Sequence, residues 1–341
     1  MKRRGVVLGF SGGIDSATAV GLLCAEGYDE VTALTLDTVG DDKMLQHARS
    51  RAEELGVSHI IKDVQREFRT SVVDYFAESY LAGRTPAPCT ICNSAIKWRF
   101  LLSEANRLGV EAIATGHYFN IDRHNGLYYV ARAVDSRKDQ SYYLWGLSQE
   151  ILSRAVTPMG GVIKEEVKCA FADKRESMGL CFLGGVAYRE FMEQNYPTSM
   201  CRGDIVDMDG RKVGEHDGVA FYTIGQKRGL DVEMAGACIV KIDASENCLI
   251  VGSNSQLYYK ILDITECNIV DKEEFMTSDD VKVVIRGIGR NPEGFMQRAE
   301  VTGGGYRIYL DDPAWAPAVG QPVVFYRQNR VIGGGILSQY R

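Results

Sequence analysis

The sequence predicts an α/β chain, in which a parallel sheet flanked by helices is followed by a small β-rich central domain and a C-terminal β-barrel. Three observations predict it. A strand, a glycine turn and a helix open the chain between Val6 and Leu23; strands and helices alternate as far as Tyr118; beyond Cys201 short strands recur at turn-punctuated intervals. At 341 residues the chain exceeds one typical domain. The expected units are residues 1–200, 201–267 and 268–341.

The opening stretch is Val6-Val7-Leu8-Gly9-Phe10-Ser11-Gly12-Gly13-Ile14-Asp15-Ser16. A β-branched apolar run breaks at Ser-Gly-Gly and restarts with apolar residues at helical spacing, so it reads as strand, tight loop and helix. Paired glycines let the backbone approach a phosphate, and the helix N-terminus turns unpaired N–H groups and partial positive charge toward it. Ser11 and Ser16 add hydroxyl donors. No Gly-Lys-Ser/Thr follows, so this is not a Walker loop and the motif brings no lysine to the β and γ phosphates. A ligand-free glycine turn is the alternative, which Asp15-Ser16 directly behind it disfavours. The stretch resembles the PP-loop of ATP pyrophosphatases, the adenine nucleotide alpha-hydrolase-like fold, whose members cleave ATP to AMP and pyrophosphate.

Taken in order, Glu30 to Leu36 reads as a second strand and Asp42 to Leu55 as a helix with Leu45, Ala48, Ala52 and Leu55 on one face. Ser58 to Val64 is a third strand, a helix runs from about Glu67 to Ala82, and Glu111 to Tyr118 is a fourth strand ending in a small-residue turn. In such a sheet ligands sit beyond the carboxyl ends of the strands, where the glycine loop lies. Between these elements, Pro86 and Pro88 stiffen the approach to Cys89-Thr90-Ile91-Cys92 at a helix start, a position that favours thiolate. The pair reads as half a zinc site, a redox pair, part of an iron–sulfur site or two packed thiols. His117 reads as a residue at a core edge, and the charged turn Asp135 to Leu144 as a helix start capped by Asp139 or Ser141. Helical pattern from Ile163 loops through Arg175 to Gly184, where Cys181 reads as a core thiol unless another element brings it opposite Cys89 and Cys92; a helix from Tyr188 to Asn195 follows.

After Cys201, strands are expected at Asp204–Asp207, Lys212–Gly214, Phe221–Ile224, Cys238–Ile242 and Cys248–Gly252. A second set is expected at Lys282–Arg286, Gln297–Val301, Tyr306–Leu310, Pro322–Tyr326 and Val331–Gly335. The net charge of −6 argues against a broadly basic nucleic-acid binder, though from Val281 onward eight basic residues face four acidic ones, enough for a local phosphate-facing surface. No apolar run reaches the roughly 18 to 20 residues needed to span a bilayer. Met1-Lys2-Arg3-Arg4 mimics a signal peptide start, but polar residues from Gly9 to Ser16 interrupt the apolar segment. A cytoplasmic protein with its nine cysteines mostly reduced is expected.

Seven segments then match one family in order: Phe10–Ser16, Cys92-Asn93-Ser94-Ala95-Ile96-Lys97-Trp98, Ala114-Thr115-Gly116-His117-Tyr118, Lys138-Asp139-Gln140-Ser141-Tyr142-Tyr143-Leu144, Gly179-Leu180-Cys181-Phe182, Tyr222–Leu230, and Gly320-Gln321 with Val324-Phe325-Tyr326. Across nearly the whole chain this resembles the bacterial tRNA-specific 2-thiouridylase family, MnmA. The resemblance implies that ATP, with Mg2+, adenylates the C2 oxygen of the wobble uridine and that a cysteine-held sulfur replaces it. Activation must come first, because an amide-like carbonyl does not expel oxide, and the base must leave its stack.

Carried over residue by residue, Gly9, Phe10, Ser11, Gly12, Gly13, Ile14, Asp15 and Ser16 hold the ATP phosphates, with Leu36 and Gly116 near the adenosine and Asp15 also counted as catalytic. Cys92 matches the nucleophile and Cys181 the persulfide carrier, the two closing a transient disulfide. Ala87, Pro88, Cys89, His117, Lys138, Asp139, Gln140, Arg286, Gly287 and Gln321 take positions facing tRNA. The implied partners are tRNAs with Lys, Glu and Gln type anticodons and a sulfur donor, relay protein or free sulfide, the chain acting as a monomer away from membranes. The chain departs from the family's Asn-Pro-Asp-x-x-Cys by carrying Ala87-Pro88-Cys89-Thr90-Ile91-Cys92. Cys89, Cys92 and Cys181 could therefore hold a [4Fe–4S] cluster with one iron open to hydrosulfide. The competing readings are a paralogue that binds ATP and tRNA without thiolating, and an amide-forming synthetase, for which the chain offers no glutaminase domain.

Overall fold

The structure is a computed structural model that describes residues 4–170, 179–287 and 289–341, with the side chains of 168–170 outside the description. The part of the expected loop from Arg175 to Met178 therefore lies outside the described residues.

Strand β1 (Gly5–Gly9) is buried on both faces, as its unbroken apolar run requires of a strand covered by helices on each side. It leads into α1 (Ile14–Ala25), β2 (Glu30–Asp37), α2 (Asp42–Glu54) and β3 (Ser58–Asp63). The carboxylate of Asp41 caps α2 by accepting from the Lys43 and Met44 amides. Next come α3 (Gln65–Phe68), a π turn at Arg69–Asp74 and α4 (Tyr75–Leu81), where one uninterrupted helix was expected; then α5 (Pro88–Ile91), a second π turn at Cys92–Lys97 and α6 (Trp98–Leu108). The chain returns through β4 (Ala112–Thr115), the hairpin β5 (Asn120–His124) and β6 (Leu127–Ala131), α7 (Gln149–Arg154), β7 (Ala155–Val156), α8 (Lys164–Ala170) and α9 (Tyr188–Asn195).

The parallel sheet runs β3-β2-β1-β4-β7. The chain leaves β1 toward β2 and returns on the opposite side as β4, so a crevice opens between the carboxyl ends of β1 and β4. The glycine loop sits at that switch point.

Beyond α9, β8 (Gly203–Val206), β9 (Lys212–His216), β10 (Cys238–Asp243) and β11 (Cys248–Gly252) make a sheet in the order β10-β11-β8-β9. The strand expected at Phe221–Ile224 is instead a 3-10 turn, Val219–Phe221, leading into extended chain. Val219, Phe221, Tyr222 and Ile224 are all buried, between Gly218 and Gly225 at positive φ. An apolar run buried on all sides has the same sequence whether it pairs or plugs a core.

The last sheet comprises β12 (Tyr258–Ile269), β13 (Val281–Val284), β14 (Met296–Thr302), β15 (Gly305–Trp315), β16 (Pro322–Arg327) and β17 (Arg330–Tyr340), with α10 (Lys272–Thr277) after β12. Its order is β13-β16-β17-β12-β15-β14, and a bridge from Lys282 to Phe295 brings its two ends together. The central strand β12 was not expected, and the expected boundary between 267 and 268 falls inside it. Bulges interrupt its pairing with both β15 and β17, so its inward residues do not keep a strict period of two. The β5–β6 hairpin joins this sheet through Arg330 opposite Ala131, tying the first unit to the last.

Candidate functional site

The glycine loop is built from local hydrogen bonds. Ser16 Oγ donates to the Gly13 carbonyl at 3.0 Å, the Gly13 amide donates to Ser11 Oγ at 3.3 Å, and the Ser11 amide reaches Ser16 Oγ at 3.4 Å. Gly12 turns at φ +73°, and a Cβ there would lie 2.9 Å from the Ala48 Cα, so both backbone angle and space require glycine. His47 Nε2 lies 3.1 Å from the Gly12 carbonyl and holds the loop from α2. Gly116, just past β4, comes so close that a Cβ would lie 3.0 Å from the Ser16 amide nitrogen.

Asp15 projects from the first turn of α1. Its Oδ1 accepts from the Tyr118 hydroxyl at 2.7 Å and from Lys164 Nζ at 2.5 Å. Lys164 is 4% exposed and comes from α8, 149 residues away, so the fold supplies the lysine that the motif lacks. No spacing rule could have found it.

These residues line a cleft of about 550 Å3. Of the expected nucleotide-site residues, Gly9, Phe10, Ser11, Gly13, Ile14, Asp15, Ser16, Leu36 and Gly116 all face it, while Gly12 forms the turn behind. Its far wall carries Lys97, Leu101, His117, Lys138 and Gln140. The His117 imidazole accepts or donates at 2.8 Å to Thr115 Oγ1, and its pKa is pushed down to about 3, first by desolvation and then by the Lys97 charge. It is neutral at physiological pH.

The thiols lie beyond Lys97. Cys92 is 6% exposed and opens the second π turn; Cys89 sits one turn before it in α5. The Cys181 sulfur comes within electrostatic range of both, on the short turn Cys181–Leu183. Phe182 fixes that turn, meeting Phe76, Phe191 and Phe68 edge-on at 5.2, 5.6 and 6.1 Å. Cys181 is therefore exposed at a site where another element does bring it opposite the pair, and the core reading does not hold.

The expected lowering of the thiol pKa values is reversed. Burial pushes Cys92 up to about 11 and raises Cys89, outweighing the nearby Lys97 ammonium, and the neighbouring sulfurs push the same way. Cys92 sits inside a helical bend packed by apolar neighbours such as Ile96, where desolvation dominates any helix-end effect, while Cys89 beside it keeps an exposed face.

With the site described, comparison with known proteins adds two family models and a set of relatives. One model, described as the tRNA methyl transferase HUP domain, matches residues 4–185; the other, the tRNA methyl transferase PRC-barrel domain, matches 189–253. The chain is 37% identical to tRNA-specific 2-thiouridylase MnmA 1 of Bacteroides fragilis over 99% of this chain and 98% of that protein. It is 38% identical to tRNA-specific 2-thiouridylase MnmA 2 of Phocaeicola vulgatus, over 97% of each. The tRNA-specific 2-thiouridylase MnmA of Syntrophomonas wolfei is 37% identical over 96% of this chain and 98% of its own length. The chain belongs to the tRNA-specific 2-thiouridylase family.

The positions expected to face tRNA fall into two groups. Around the thiols, the Thr85 amide donates to the Val319 carbonyl at 2.7 Å, which holds the Ala87-Pro88-Cys89 approach beside Gly320 and Gln321. A Cβ on Gly287 would lie 2.7 Å from the Tyr143 hydroxyl, so the Arg286-Gly287 loop closes on the same corner. Asp139 is different: its carboxylate accepts from the Ala133 amide and from Ser141 and pairs with Arg132, which leaves it turned inward, and the helix it was expected to cap is a 3-10 turn, Ser141–Leu144, whose N-cap is Gln140 with no side-chain cap. Gln140 Oε1 is also engaged, accepting from the Tyr118 amide at 2.9 Å.

The basic excess of the thiouridylase barrel shrinks on folding. Arg307 and Arg341 pair with Asp263, Arg327 with Glu274 and Asp280, and Arg330 with Glu274 and Asp122, all carboxylates from outside the segment counted. Lys282, Arg286 and Arg290 have no carboxylate partner among the described residues. Arg286 stacks over Trp315, its buried Nε without a hydrogen-bond partner.

The structure shows no site for the expected [4Fe–4S] cluster: among the described residues no three His, Cys, Asp or Glu side chains are grouped closely enough to hold a metal ion. Among the described residues no helix is long and apolar enough to cross a membrane.

Proposed function

We propose that this chain is an ATP-dependent tRNA-uridine 2-sulfurtransferase that acts on the wobble uridine. The observation that supports the reading is that Lys97, which lines the cleft with the glycine loop, also acts through its charge on Cys92 and Cys89, with Cys181 in electrostatic range of both. ATP enters with Mg2+, its phosphates on the loop amides and Ser11 and Ser16, its adenosine toward Leu36 and Gly116. The C2 oxygen attacks the α-phosphorus; the bond to it forms, the bond to the β-phosphate oxygen breaks, and pyrophosphate leaves. Lys164 and the loop amides spread the charge that develops on the leaving group.

The terminal sulfur of a Cys181 persulfide then attacks C2, and the C2–oxygen bond breaks to release AMP. Cys92 attacks the Cys181 sulfur, the sulfur–sulfur bond breaks, and sulfur stays on C2 as the thiocarbonyl. The two cysteines supply two electrons and close a disulfide, which an external thiol reductant must reopen. A persulfide-bearing donor transfers its sulfane sulfur to the Cys181 thiolate and leaves as the thiol, and the exposed turn of Cys181 is accessible to such a partner or to a small persulfide. Arg286, Arg290 and Lys282, without carboxylates, are the phosphate contacts we favour, together with Ala87 to Cys89, His117, Lys138 and Gln321 around the extruded base. The division into a catalytic unit, a central β-rich unit and an RNA-gripping barrel is part of the same proposal.

The test is mass spectrometry of nucleosides from unmodified tRNA incubated with the chain, ATP and a sulfane-sulfur source. Formation of 2-thiouridine, AMP and pyrophosphate in equal amounts is expected. Methylated nucleoside, as the wording of the family models would have it, or RNA binding without modified nucleoside, would overturn the reading.

A further inference from the structure

Lys97 closes the π turn that Cys92 opens, five residues along. In an α-helix of 3.6 residues per turn, positions five apart point about 140° away from each other. A π turn bonds each residue to the fifth beyond it and brings those positions back toward one face. The extra residue in this turn therefore sends Lys97 into the nucleotide cleft while Cys92 still feels it. Both consequences are visible: Lys97 lines the cleft with Ser11 and Asp15, and its charge acts on Cys92, Cys89 and His117. Whereas Lys164, another cation lining the cleft that the glycine loop faces, is committed to Asp15, Lys97 pairs with no carboxylate among the described residues.

We propose that Lys97 is a positioning residue shared by the two half-reactions, an ammonium that a nucleotide phosphate and the sulfur of Cys92 compete for. While ATP occupies the cleft, the phosphate draws the charge and the sulfur side is quiet; once pyrophosphate leaves, the same charge favours the sulfur anion at Cys92. Such a coupling is reciprocal by linkage, so whatever ionises the thiol also strengthens its claim on Lys97 and weakens nucleotide binding. The charged and titratable groups facing Cys92 are Lys97, Cys89 and Cys181, and only Lys97 favours the anion. This inference takes its chemistry from the thiolation reading, but its test uses no RNA and no turnover, so the two fail separately.

The experiment measures iodoacetamide labelling of Cys92 by peptide mass spectrometry at one pH, with and without a non-hydrolysable ATP analogue, alongside analogue affinity by calorimetry. In the native chain the analogue slows labelling several-fold. Lys97→Gln labels several-fold more slowly without nucleotide, binds the analogue more weakly, and no longer changes its labelling rate when the analogue is added; Lys97→Arg restores all three behaviours. Thermal unfolding of both variants checks that the π turn survives. If Lys97→Gln labels at the native rate, or is still slowed by the analogue as simple blocking would have it, the coupling is wrong.

Discussion

The nucleotide side and the thiol side of the candidate site are made in opposite ways. The nucleotide wall is polar and already organised: a loop of a few residues with glycines at forced angles and hydroxyls bonded to loop amides and carbonyls, braced through Asp15 by the distant Tyr118 and Lys164. The thiol wall is apolar, assembled from segments some ninety residues apart, and electrostatically quiet, with Cys92 held as a neutral thiol at a pKa near 11. One wall is ready for an anion before it arrives; the other suppresses its reactive form until charge is supplied. That separation suits a reaction whose sulfur must not be spent before C2 has been activated.

The sharpest way to break the comparison is to remove one wall's chemistry and ask whether the other notices. Cys92→Ala should lower thiolated nucleoside by about a thousandfold or more while analogue binding stays within about twofold, read by nucleoside mass spectrometry and calorimetry. Conversely, Gly12→Ala places a side chain at φ +73° against Ala48, and should weaken ATP binding by about ten- to a hundredfold with Cys92 labelling in the absence of nucleotide unchanged. Phe182→Ala removes the aromatic anchor of the Cys181 turn. It should slow sulfur transfer about tenfold, seen as a slower single-turnover appearance of 2-thiouridine after pyrophosphate release at the native rate.

Sequence and structure part along the same line. The nucleotide wall was legible because its function is written in contiguous residues: two glycines, two hydroxyls and an aspartate after a buried strand admit few meanings. Lys164 escaped because it is one lysine on a distant amphipathic helix, meaningful only once α8 is folded beside α1. On the other wall the cysteines could be named, but burial decides their ionisation, and burial depends on Phe182, Ile96 and the π turn, which no periodicity announces. In the barrel, the alternating strands were readable apart from bulged β12, while the basic surface was overcounted because Asp263 and Glu274 lie before the segment that carries their arginines.

Smaller effects of pH sharpen the contrast further. Cys92 labelling without nucleotide should rise with pH through about 11, where an exposed thiol would level off near 9. His117 works in the other direction. Its folded pKa of about 3 lies below the ordinary value of 6.5, so the unfolded chain binds the extra proton between them. The contribution is intact above 6.5 and is lost as pH falls toward 3, a decline that denaturant melts should show and that His117→Gln should lessen.

The account stands most directly on the fate of two sulfur atoms. After a single turnover on tRNA with a persulfide donor and no reductant, peptide mass spectrometry of the unreduced chain should find Cys92 joined to Cys181 in proportion to the 2-thiouridine formed. Full thiolation with both cysteines left as free thiols, above all if iron and acid-labile sulfide travel with the active protein, would contradict it.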